Sequence, residues 1–249
     1  MDSMMIAAAG GMKARMESLD MLANNVANSG TAGFKSDREF YNLYTSPDAA
    51  AAAADGMHPD PSTLPVIERQ WTDFSQGTLV PTGNPLDIAL SGPGFFVAKS
   101  PSGPLYTRNG NFRLSKDGQL ETQQGYAIED DKGQPIQVDP ALPVDISSDG
   151  AVRQQGQDVA QMAIMDFTKP AALGKRDGTY FQMDNTKLTA SPATNVQLHQ
   201  STLENSNVPT AESAVRLVGV LRQFEMLQRA MSVGTQMNRS IEQIAKVGP

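Results

Sequence analysis

The side chains able to do acid-base, metal or nucleophilic chemistry are few in this chain of 249 residues, and their spacing suits none of it. There are two histidines and no cysteine, so disulfides, zinc-thiolate sites and thiol nucleophiles are excluded. His58 follows Asp55, but Gly56 and Pro59 disfavour the helix that would bring the two onto one metal. His199 has no His, Asp or Glu at helical ligand spacing. Glu129-Asp130-Asp131 could supply paired carboxylates for glycoside chemistry, yet Lys132-Gly133 follows and a solvated hairpin loop accounts for the charges. Gly92-Pro93-Gly94 lacks the third glycine and the following helix of a dinucleotide fingerprint, and no phosphate loop or Gly-x-Ser-x-Gly elbow occurs. No catalytic, metal or cofactor site is expected, and no small-molecule substrate.

One segment is specific. Leu22-Ala23-Asn24-Asn25-Val26-Ala27-Asn28 sets three asparagines at the end of a helical pattern, with Asn24 and Asn28 one turn apart, and continues through Thr31, Gly33, Phe34 and Lys35. Asparagine is a poor helix former, so its placement needs a reason. A generous C-terminal cap is one; amides that fix register between helices of different subunits are the other.

The elements that must position these residues follow from proline and charge. Fifteen of the sixteen prolines lie between Pro47 and Pro209, which permits long helices at both ends and none in the middle. Net charge is −7 and belongs to the middle of the chain, which argues against a nucleic-acid partner. Nine of the thirteen methionines lie in the two ends, where flexible thioethers suit surfaces that must fit several neighbours. No stretch approaches the roughly 18 apolar residues of a membrane span, so membrane insertion is not expected.

A first helix is expected from Met4 to Asn28. Met5, Met12, Leu19 and Val26 recur every seven residues with Ala8 and Leu22 between them, a seam interrupted by Arg15. A last helix is expected after Pro209, with Thr210 as N-cap and a seam through Leu217, Val220/Leu221, Phe224, Leu227, Met231 and Ile241. Between them, short apolar runs are separated by Asn109-Gly110, Asp117-Gly118, Gln124-Gly125, Lys132-Gly133 and Asp149-Gly150, the pattern of short antiparallel strands. The fold class is therefore α+β. Residues 1–36 and 206–249 form a paired, coiled-coil inner domain, 37–68 a linker, and 69–205 a β-rich outer domain.

The segment Ala23 to Lys35 resembles the Ala-Asn-Asn-x-Ala-Asn-x-x-Thr-x-Gly-Phe-Lys hallmark of the flagellar axial proteins, the rod and hook subunits. Three further blocks resemble the same family in its order: Gly83 to Val97, Tyr106 to Phe112, and Leu203 to Val208. The resemblance implies a basal-body rod protein whose terminal helices line an axial channel, with the β domain outside. It implies assembly with other rod and hook-family subunits, export through the flagellar type III apparatus without a cleaved signal peptide, and a periplasmic position in the rod. Arg222-Gln-Phe-Glu-Met looks more like the proximal-rod than the distal-rod subunit. A distal-rod subunit and a carbohydrate-acting enzyme built on the β domain are the other readings.

Overall fold

The computed structural model describes residues 3–44, 64–183 and 189–246, with side chains over 9–39, 71–183 and 189–236. The chain separates into two compact units: residues 1–26, 37–71 and 210–249 form one, and residues 27–36 and 72–209 the other. The α+β class holds, with a helix at each end and antiparallel strands between.

In the first unit the N-terminal helix runs Ser3–Ala27 and the C-terminal helix Thr210–Lys246, beginning directly after Pro209. Both are proline-free, and the C-terminal one carries Glu212 in its first turn, where an acid complements the helix dipole. The helices lie side by side. A Cβ added to Gly11 would sit 3.8 Å from Leu227 Cδ1, while Arg15, one turn on, shares a hollow with Gly219, Val220 and Gln223. Advancing along one helix thus means retreating along the other, so the two run antiparallel.

On the C-terminal helix Leu217, Val220, Phe224, Leu227 and Met231 are half-buried and lie on one face. Leu221 is exposed, because of the pair Val220/Leu221 it is Val220 that falls on that face. On the N-terminal helix Met12, Leu19 and Val26 are half-buried, and the most buried line runs through Ala14, Ser18, Met21, Leu22 and Asn25. The side chains of Met5 and Ile241 fall outside the described residues.

The span 37–68, expected as a linker, carries strand at both ends. Asp37–Tyr44 and Leu64–Thr72 pair as a two-stranded sheet, consistent with their aromatic and β-branched content. His58 and the proline-rich centre of that span lie outside the described residues. A second departure concerns residues 27–36, expected with the helices: they belong to the β unit, because Phe34 and Lys35 are buried there.

The β unit is built on an antiparallel sheet of nine strands among the described residues. Its central strand, Phe95–Ser100, pairs with Gly103–Thr107 on one side, Ala127–Ile128 on the other, and Ile164–Phe167 at its start. Side chains alternate across a strand, and here both faces are covered. Phe96 and Ala98 enter a core with Ile88, Phe112, Leu120, Ile128, Ile136 and Val152, whereas Phe95 and Val97 enter a second core with Tyr106, Phe167 and Phe181. Double burial is why Phe95-Phe96-Val97-Ala98 reads as an unbroken apolar run. Edge-on ring contacts tie each core together, Phe96 to Phe112 at 5.0 Å and Tyr106 to Phe167 at 4.8 Å.

Four of the five Gly-containing turn pairs close hairpins, as their pattern predicts. Asn109-Gly110 does not. It carries the chain from the strand ending at Thr107 to the strand starting at Phe112, and Gly110 presses its backbone against Ile88, whose amide donates to the Gly110 carbonyl at 3.0 Å. A Cβ at Gly110 would collide with the Ile88 carbonyl, so a glycine is needed here for close approach rather than for a two-residue turn.

Candidate functional site

The motif Ala23 to Lys35 divides between the two units, and its parts do different work. In the helical unit Asn25 is buried, and its side-chain amide grips the backbone of Asp37: Nδ2 donates to the Asp37 carbonyl at 2.8 Å and Oδ1 accepts from the Asp37 amide at 3.0 Å. The end of the N-terminal helix is thereby stitched to the start of the following strand. Asn24 is exposed on the same helix. In the β unit Ala27 is exposed, and Asn28 closes the turn after the helix. Its carbonyl accepts from the Thr31 amide at 3.0 Å, and its Oδ1 accepts from Thr31 Oγ1 at 3.3 Å.

Gly33, Phe34 and Lys35 then enter the β unit. Gly33 has φ of 68°, and a Cβ there would collide with the backbone of Arg108 and Asn109, so both conformation and space demand glycine. Its amide donates to the Glu204 carbonyl at 2.7 Å. Phe34 is fully buried with Lys175 Nζ 4.1 Å from its ring centre, and that ammonium also donates to the Lys35 carbonyl at 3.0 Å.

Lys35 is the centre of the arrangement. Its ammonium donates to Glu204 Oε1 at 2.6 Å and to the Ser75 carbonyl at 2.7 Å, and both the lysine and the glutamate side chains are 0% exposed. Oε1 also accepts the Gly77 amide at 2.8 Å, and Oε2 lies 3.4 Å from Arg108 Nη1. Arg108 reaches the Gly92 carbonyl through Nη2 at 2.8 Å and lies over the Phe95 ring. Two cations thus share one carboxylate in a desolvated setting. Burial pushes the Lys35 ammonium below its usual range, against the pull of Glu204, and acts on Arg108 in the same direction.

This cluster gathers one residue from each block singled out in the sequence: Lys35, Gly92, Arg108 and Glu204. A neighbouring hub joins two of the blocks, 83–97 and 106–112. Asp87 accepts from Asn84 Nδ2 at 3.1 Å and Asn111 Nδ2 at 2.8 Å through Oδ1, and from Thr82 Oγ1 at 2.7 Å through Oδ2. Asn207 completes the closure by accepting the Ser36 amide at 2.8 Å and donating to the Asp73 carbonyl at 2.7 Å. Apart from Arg108 Nε, which is buried without a hydrogen-bond partner, these groups are spent on one another. What they can do chemically is hold residues 27–36 and 203–208 on the sheet in a single arrangement.

Glu204, Arg108 and Asp87 were not among the residues expected to matter. Each lies inside a quoted block, which is the signal available; that a Glu, an Arg and a Lys 169 positions from the Glu meet in one buried cluster is not visible in one dimension. Glu129, Asp130 and Asp131 lie at a turn closed by a bridge between Glu129 and Pro135. Asp130 Oδ1 accepts the Lys132 amide at 3.0 Å and the Gln134 amide at 2.7 Å, a turn closing on itself. Among the described residues no group of His, Asp and Glu could hold a metal ion, and no helix is long and apolar enough to cross a membrane.

The helical ends are joined in one unit and the β body is locked by the same four blocks, and comparison with known proteins gives the class. Residues 5–35 match the family described as "Flagella basal body rod protein", residues 89–154 the "Flagellar hook protein FlgE/F/G D1 domain", and residues 199–244 the "Flagellar basal body rod FlgEFG protein C-terminal". The flagellar basal-body rod protein FlgF of Caulobacter vibrioides is 32% identical over 231 residues, covering 92% of each chain. FlgG of Buchnera aphidicola subsp. Schizaphis graminum is 28% identical, covering 94% of this chain and 96% of its own, and FlgF of Mesorhizobium japonicum is 29% identical over 83% of both. The chain belongs to the flagellar basal-body rod proteins, on the side of the family that holds FlgF and FlgG. It is a structural component of the bacterial flagellar basal body.

Proposed function

We propose that this subunit occupies the proximal rod, that its two terminal helices pair as a coiled-coil inner layer facing an axial channel, and that its β body forms the outer layer. The observation that carries the reading is the joining of the two chain ends in one helical unit. That arrangement gives each copy a self-contained helix pair to offer its neighbours, distinct from a body whose Lys35, Arg108 and Glu204 pair with one another. The neighbours are other rod and hook-family subunits, and the chain reaches the periplasm through the flagellar type III apparatus. Register between subunits is set by the exposed Asn24, while Asn25 holds the Asp37 backbone within the chain.

A distal-rod position is the second reading. Imaging intact basal bodies at side-chain resolution decides between them: the subunit is expected at the base of the rod, and a position adjoining the hook would replace the first reading with the second. We assign the β body no catalysis, because Asp130 is used in its own turn. Glycan hydrolysis by the purified chain, abolished by Asp130→Asn, would overturn that assignment.

A further inference from the structure

Asn109-Gly110 is the single Asn-Gly pair of the sequence, and it closes no hairpin. The chemistry open to such a pair is intramolecular. The Gly110 nitrogen can attack Asn109 Cγ, because a following glycine puts no Cβ in the way, and the side-chain nitrogen then leaves as ammonia. Water opens the resulting five-membered succinimide at either of its carbonyl carbons, so the net change is addition of water and loss of ammonia. Opening at one carbon gives aspartate. Opening at the other gives isoaspartate, whose main chain runs through Cβ and Cγ and is one carbon longer.

For the attack, the Gly110 nitrogen and Asn109 Cγ must swing onto each other, and three hydrogen bonds oppose that rotation. The Asn109 main-chain amide donates to Thr107 Oγ1 at 3.0 Å, Asn109 Oδ1 accepts the Asn111 amide at 3.0 Å, and the Gly110 carbonyl accepts the Ile88 amide at 3.0 Å. Packing opposes it as well. Gly110 is buried, and a Cβ on it would lie 1.6 Å from the Ile88 carbonyl oxygen, while a Cβ on Gly33 would lie 2.3 Å from the Asn109 nitrogen. The pair is thus pinned by two segments remote from it in sequence, around residues 33 and 88. Those pins exist only while the β unit is closed.

We propose that Asn109 is a deamidation site silenced by folding, and that isoaspartate formed there in an open chain prevents the β unit from closing. The extra carbon falls between the Asn109 nitrogen, packed against Gly33, and the Gly110 carbonyl, bound by Ile88, where there is no room for it. It also displaces the neighbouring Arg108 from Glu204 and from the Gly92 carbonyl. Aspartate at position 109 differs: it keeps the length of the main chain and an Oδ1 that accepts from Asn111. A chain that closes promptly keeps its asparagine, and one that stays open is withdrawn from use.

The purified full chain tests this, wherever in the rod it sits. It is incubated at mildly alkaline pH across a urea series, and the peptide containing Asn109 is followed by its gain of one mass unit and by its acceptance of methyl groups from an isoaspartyl methyltransferase. Deamidation in native buffer is expected to be about a hundredfold or more slower than in denaturing urea, because it waits on opening of the β unit. The rate is expected to climb over the same urea range as the near-ultraviolet transition. Equal rates at the two ends of the series would overturn the protection. Chains deamidated in urea are then diluted into native buffer beside the Asn109→Asp variant. Chains carrying isoaspartate at position 109 are expected to stay without near-ultraviolet signal and Asn109→Asp to regain it. Recovery by the isoaspartate chains would overturn the block on closure. Failure of Asn109→Asp as well would overturn the main-chain explanation, leaving the new charge beside Arg108 responsible.

Discussion

At the scale of single residues, the molecule turns on one carboxylate. Glu204 neutralises Lys35 and accepts from Arg108 and the Gly77 amide in a site without solvent. Removing it leaves two buried cations unpaired, so Glu204→Ala is expected to cost about 3–5 kcal/mol in urea unfolding of the purified chain. Lys35→Met is expected to cost less than half as much, because Glu204 keeps Arg108 and the Gly77 amide and the methionine fills the space. The pair also predicts a pH dependence. Burial lowers the folded-state pKa of Lys35, so between that lowered value and the ordinary lysine value of about 10.4 the unfolded chain binds more protons. Stability relative to Lys35→Met should therefore rise with pH across that window and be flat below it. A fall over the same window would mean that Lys35 is held charged more firmly folded than unfolded.

At the scale of elements, the three asparagines of the helix end separate by role. Asn25→Ala removes both hydrogen bonds to the Asp37 backbone and leaves a buried carbonyl and amide to find new partners. A loss of about 1–3 kcal/mol is expected, exceeding the gain of a few tenths from helix propensity. Asn24→Ala, on the exposed side, is expected to change stability by under about 0.5 kcal/mol while lowering motility. Equal thermal stability for both variants would remove the clamp from the account. The two helices supply another test. Leu227 faces Gly11 within the helical unit, so Leu227→Asp sets a charge into a half-buried helix contact. Rod formation is expected to fail and the helical circular-dichroism signal to melt at lower temperature, while the near-ultraviolet transition of the β unit stays in place.

At the scale of the whole molecule, the unit boundary passes through the family motif rather than beside it. Residues 27–36 belong with 72–209 although they continue the first helix in sequence. A fragment of residues 27–209 is therefore expected to retain the thermal transition of the β unit. A fragment of residues 37–209, which lacks Phe34 and Lys35, is expected to melt about 10 °C lower or more, since it loses a fully buried aromatic side chain and the counter-ion of Glu204. Identical melting of the two fragments would show that the segment is only laid on the sheet.

Much of this was legible without coordinates because it depends on local chemistry. Proline confinement determined where long helices can run, helical period determined that both ends are amphipathic, and turn dipeptides determined short antiparallel strands in the middle. These are properties of neighbouring residues, and backbone sterics enforces them wherever the chain goes. The likeness of four blocks to axial proteins was legible too, but not what the blocks are for. Lys35, Gly92, Arg108 and Glu204 lie far apart in sequence, and only tertiary packing brings them to one desolvated point, where a lysine that composition would place in solvent becomes a buried ion-pair partner. The same holds for the strands at either end of the presumed linker, whose pairing depends on a partner across the gap, and for Leu221, which a period of three and four residues could not separate from Val220. Local pattern sets which elements form. Which side chains end up without water is a long-range outcome, decided by how the elements close on one another.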